Sequence, residues 1–197
     1  MTFDDFKGLI GLSFRDPAQA ARTLIAQKWP VRARWMALLA SVSISAILTW
    51  IAASIFSAPA DAGTDAVLLV QQPMVMAVTQ MGAIVLAAGL MSGVGRLFGG
   101  SGSFEDALLL TVWIEILLLL VQLVQLLVAL ILPGMAGMLG IAAIILFLWL
   151  TVQFTKALHG FQNGLKVALG LIGTVFVAGF ILSLFAASLG ILPEMPQ

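Results

Sequence analysis

A chain of 197 residues that is 61% hydrophobic and 9% charged lacks the polar surface of a soluble domain, in which about a quarter of residues are charged. Its mean hydropathy of +1.14 makes lipid its solvent, and its formal net charge of zero excludes the basic face that nucleic acid requires. Without cysteine and with one histidine, the chain has no disulfides, thiolate metal sites or cysteine nucleophiles, and neither metal nor cofactor is expected.

Residues 1–29 read as a cytosolic or interfacial amphipathic segment ahead of a transmembrane domain over 30–192. Phe3, Phe6, Ile10 and Phe14 recur at helical spacing among Asp4, Asp5, Lys7 and Arg15, a pattern suited to a short helix in the headgroup layer. Gly8 and Gly11 weaken that helix and leave a loose aromatic-bearing tail as the alternative. Asp16-Pro17-Ala18-Gln19 is a better start, with Asp16 as N-cap, Pro17 at the first helical position and Gln19 able to bond back. Ala21, Leu24, Ile25 and Trp29 then share a face. That face has two possible seats, the cytosolic membrane surface or the protein's own bundle.

Pro30 resets the chain, and Trp35 to Ala60 carries no charge, ample for a first span at roughly 20 residues per crossing. Ser41, Ser45, Thr49, Ala53 and Ser57 form a small-residue stripe suited to close packing. A loop from Asp61 to Pro73, without Lys or Arg, leads to a second span from Met74 to Leu97 that contains Gln80. Gly89 and Gly93 on that span have the spacing of a close helix contact. The loop Gly99-Gly100-Ser101-Gly102-Ser103 reads as a flexible connector, because no P-loop lysine follows it. Ser103 and Asp106 fit a capping box at the start of a third span, Phe104 to Leu132. Pro133-Gly134 turns the chain into a fourth span, Met135 to Leu158, because the uncharged run Ile116–Thr155 is too long for one crossing. A polar loop, Lys156 to Lys166, precedes a fifth span from Val167 to Leu189.

Every Lys and Arg precedes the first span or lies in the loops around Arg96 and from Lys156 to Lys166. Asp61, Asp65 and Glu194 mark the opposite side. The positive-inside rule then gives an all-α polytopic membrane protein with five transmembrane helices, N-terminus inside and C-terminus outside.

On the third span Thr111, Glu115, Gln122 and Gln125 fall within an arc of about 80° at 100° per residue. Such a stripe faces protein or water rather than lipid. Glu115 sits near mid-bilayer, where it reads either as a proton-linked carboxylate in a polar pathway or as a neutral acid hydrogen-bonded between helices. Ser43, Gln153 and Thr174 lie at compatible depths as partners. His159, in the inner loop beside Gly160, reads as a solvated surface residue. The spans hold no carboxylate pair and no serine within reach of the histidine, so no enzyme is expected.

The helix around Asp16-Pro17, the five spans and the segment Phe98-Gly-Gly-Ser-Gly-Ser-Phe104 together resemble the bacterial branch of the Yip family, the Ypt-interacting proteins. The resemblance covers nearly the whole chain through topology and short glycine-rich motifs. Eukaryotic members bind prenylated Rab GTPases and assist vesicle traffic. Their Asp-Leu-Tyr-Gly-Pro and Gly-Tyr motifs need tyrosine, which this chain lacks, so Rab-type GTPase binding is not carried over. The resemblance implies a non-enzymatic adaptor or organiser of a bacterial inner membrane, with the lipid bilayer and other membrane proteins as partners. The competing expectation is a small permease or lipid-handling protein with a polar path at Glu115. Internal repeats, common in transporters, are not evident.

Overall fold

The computed structural model describes residues 2–56 and 72–188, which form seven helices and no strand among the described residues. Two short helices, α1 (Phe3–Arg15) and α2 (Pro17–Ala26), precede α3 (Val31–Ile55), α4 (Pro73–Leu97), α5 (Phe104–Ile131), α6 (Pro133–His159) and α7 (Gly164–Ser188). Four helices, α3 to α6, are long and apolar enough to cross a membrane. Residues 57–71, with Ser57, Asp61 and Asp65, and the end from Leu189, with Glu194, lie outside the described residues.

Local signals explain most boundaries. Asp16 Oδ1 accepts the Gln19 amide at 2.9 Å and Pro17 opens α2, as expected of an N-cap followed by proline. Pro73 and Pro133 likewise open α4 and α6. Ser103 Oγ accepts the Asp106 amide at 3.1 Å. The Asp106 carboxylate takes the Ser103 hydroxyl at 2.7 Å and Arg34 at 3.1 Å, which ties the N-terminal ends of α3 and α5. That anchorage explains why α3 begins at Val31 rather than Trp35: Arg34 is buried, with its Nε donating to the Trp29 carbonyl at 2.9 Å. A paired arginine can therefore occupy the first turn. The first helix is α1 rather than a loose tail, because Thr2 and Asp5 close a capping box on it.

The hairpin-forming α5 is the axis of the fold. Leu108, Leu110, Val112, Trp113, Ile114 and Leu117 are all buried on it, and α3, α4 and α6 pack around it. Of the two seats open to the N-terminal segment, the described structure uses the bundle. Leu24 is 0% exposed, Ile25 and Trp29 pack on the same core, and α2 lies against α6 and α5. The α1 helix follows, with the edge of Phe6 on Trp113 at 5.5 Å between centroids. Trp113 Nε1 donates to the buried Ser13 hydroxyl at 2.9 Å. An indole N–H this deep needs such a partner, and helical spacing alone does not single out Ser13 for it. Among the described residues the Gly89-x-x-x-Gly93 contact does not form: a Cβ at Gly82, Gly89 or Gly93 meets none of their atoms outside its own helix within 4 Å.

Candidate functional site

Two polar clusters stand out against the apolar bundle. The first joins three helices at the level of Glu115. Gln80 on α4 donates through Nε2 to Glu115 Oε1 at 2.6 Å, and the same nitrogen lies 3.3 Å from Ser45 Oγ on α3. Ser45 Oγ donates to Gln122 Oε1 at 3.0 Å, while Gln122 Nε2 donates to Thr49 Oγ1 at 2.8 Å. Each short hydroxyl stands on the small-residue face of α3, which lets the glutamines of the neighbouring helices reach it. Among the described residues no buried side-chain nitrogen or oxygen lacks a hydrogen-bond partner.

The stripe on α5 therefore divides. Glu115 and Gln122 enter the three-helix cluster. Gln125 turns to the other side of the hairpin and donates to the Ala136 carbonyl on α6 at 3.0 Å. Thr111 bonds back to its own helix, at the carbonyls of Ala107 and Leu108. The partner of Glu115 is Gln80, not Ser43, Gln153 or Thr174. Ser43 is exposed, and Thr174 donates to the Gly170 carbonyl of its own helix. Gln80 is the internal amide of its span, a signal that depth matching alone did not connect to Glu115.

A cavity of about 410 Å³ opens beside this cluster, lined by Ser45, Gln80, Glu115, Gln122 and Gln125 together with Ile144 and Phe147. Toward the His159 end of the bundle, Leu38 and Val42 on α3, Met91 on α4, Leu108 and Val112 on α5, and Leu150 and Phe154 on α6 are buried in one continuous apolar core. The buried hydroxyls at that level, Ser41, Ser92 and Thr155, bond back to carbonyls of their own helices. Among the described residues no group of three or more acidic or histidine side chains is placed to hold a metal ion.

The second cluster revises the reading of His159 and of the glycine-serine loop. His159 is the last residue of α6 and is buried, not solvated. Its Nδ1 accepts the Gly102 amide at 3.1 Å and its Nε2 faces the Met91 carbonyl at 2.9 Å. An amide donor on one nitrogen and a carbonyl acceptor on the other select the neutral ring with its proton on Nε2. The ring lies in a cradle with no room for side chains: a Cβ added at Gly95 or Gly100 would collide with the imidazole, and one at Gly102 would lie 2.5 Å from Leu158 Cγ. Phe161 stacks on the ring at 5.4 Å, and Arg96 Nε donates to the Gly102 carbonyl at 2.8 Å. Gly99, Gly100, Ser101, Gly102 and Ser103 thus form a seat that locks the α4–α5 connection to the end of α6. Gly99 (φ +85°) and Gly160 (φ +71°) adopt the left-handed backbone this connection needs. The dense glycines beside a lone histidine were the available signal.

Against known proteins, the family model described as the Yip1 domain matches residues 11–185. No curated protein and no solved structure matches the chain.

Proposed function

The chain belongs to the Yip1-domain family, and on that premise we propose that it is a non-enzymatic membrane adaptor, an organiser that engages other membrane proteins or lipids from within a bacterial inner membrane. In this reading α7 is a fifth crossing. All Lys and Arg ends face the cytosol, and the end of α7 emerges on the outer side.

The observation that carries the reading is the way Glu115 is used. Its bonded partners, Gln80 and through it Ser45 and Gln122, belong to three packed helices, and the core between them and the His159 end is built mainly of apolar side chains. A transport path needs exchangeable polar groups leading to water; a clamp needs partners on neighbouring helices, which Glu115 has. Exposed faces remain for partners, including Phe3 and Phe14 on α1 and Met36, Leu39 and Ile47 on α3. Site-specific photo-crosslinkers at Phe14, Met36 and Ile47 in native membranes test the adaptor role. Discrete protein adducts from a subset of these positions are expected. Absence of any protein adduct at all three would contradict it.

A further inference from the structure

The final helix leaves a gap. It leans on α6 and touches α4 only lightly, and two cavities open along the seam. One, of about 720 Å³, begins at the polar connection with Gln162, Asn163 and Lys166 and continues between Leu90, Met91 and Leu171. The other, of about 630 Å³, shares Leu90, Met91 and Leu171 and extends past Thr174 to Phe176. Because the two share three wall residues, they form one slot with a cationic mouth and an apolar shaft.

From the geometry we infer that this slot is a binding site for one anionic phospholipid, its headgroup at Lys166 and an acyl chain between α4 and α7. Lys166 is exposed and no acidic side chain lines the mouth, so its charge is open to a phosphate. Amides at Gln162 and Asn163 beside it offer donors for the headgroup oxygens. From Lys166 to Phe176 the slot runs about 15 Å at 1.5 Å per residue, the half-thickness of a hydrocarbon core of about 30 Å. That is the reach of one chain in one leaflet. In a bilayer such a seam fills with hydrocarbon, and the lysine at its mouth favours the anionic headgroup. Thr111 and Glu115 also line the deeper part of the shaft, but the headgroup site at Lys166 does not use the Gln80–Glu115 bond and stands or falls separately from the adaptor role.

Native mass spectrometry of the detergent-purified full chain, titrated with phosphatidylglycerol or phosphatidylcholine of identical chains, tests the assignment. The expected result is retention of phosphatidylglycerol about fivefold above phosphatidylcholine, the effect of one lysine at a membrane surface. Lys166→Gln should remove that preference. Gly170→Leu should lower retention of both lipids, because Gly170 lines the slot and a Cβ there meets no atom within 4 Å. Leu90→Trp, on the facing wall, provides a second filler if the first disturbs folding, with circular dichroism checking helix content of each. Equal retention of the two lipids by the unaltered chain would overturn the proposal. So would unchanged phosphatidylglycerol retention in Lys166→Gln, or in a folded filler variant.

Discussion

Gln80 and Glu115 meet at 2.6 Å across the α4–α5 contact, and the chemistry of that pair sets what substitution can do. Glutamine at position 115 keeps the shape and an acceptor oxygen for Gln80 but cannot titrate. Glu115→Gln should therefore leave thermal stability in detergent nearly unchanged. Glu115→Leu, which strips Gln80 of its acceptor, should lower it by about 0.5–2 kcal/mol, the range of interhelical hydrogen bonds in membranes. The histidine cradle gives a sharper test. Gly95→Ala would ordinarily favour a helix by up to about 1 kcal/mol, yet here the new methyl collides with the His159 ring. Net destabilisation of about 1–3 kcal/mol is expected from overpacking. In the His159→Ala background the same change should cost much less, a coupling that a double-mutant cycle on thermal melts reads directly. At the other end of the chain, hydrogen bonds from the Thr2 amide foremost, then the Thr2 hydroxyl, hold the Asp5 carboxyl below its ordinary value of 3.8. Its support of α1 is fully present above that value and is lost as pH falls through the lowered one. Hydrogen exchange in α1 should accelerate over that acid window, and Asp5→Asn should abolish the pH dependence.

Among the elements, the long apolar runs and their punctuation were readable directly. Pro73 and Pro133 open α4 and α6 at positions where proline is tolerated, and Asp16 and Ser103 cap α2 and α5. What helical spacing could not decide was which apolar face meets which neighbour. Leu24, Ile25 and Trp29 fit a membrane surface as well as a bundle, and the fully buried Leu24 belongs to the bundle. The glycines show the same limit. Gly89 and Gly93 have the spacing of a packing motif but meet no described neighbour, whereas Gly95, Gly100 and Gly102, which lack that spacing, carry the closest approach. The Glu115 stripe was legible as a polar face, but its partner was not, because pairing Gln80 with Glu115 requires knowing how α4 is rotated against α5. Docking of the N-terminal helices makes a separable prediction. Leu24→Ala should cost about 2–5 kcal/mol, as expected for a fully buried leucine, and should raise proteolytic cleavage between residues 16 and 30 while leaving the spans inserted.

At the scale of the whole molecule, the bundle is arranged around α5 and latched at one end by His159 and by the Arg34–Asp106 pair. Threading is tested by single cysteines at Ala62 and Ser101, introduced into a chain that has none. In intact cells an impermeant thiol reagent should label Ala62→Cys and not Ser101→Cys. Ser101 is preferred to its neighbour Gly102, which has no space for a side chain. The central claim, that Glu115 clamps packed helices rather than serving a water path, is measured most directly by cysteine accessibility in the buried apolar layer around Val42 and Leu108. Single cysteines at Val42 and Leu108, both buried in that layer, should resist a water-soluble thiol reagent applied from either side of native membranes, while Ser101→Cys reacts from the cytosolic side. Rapid modification at Val42 or Leu108, in protein whose helix content is unchanged, would show water in the layer and contradict the account.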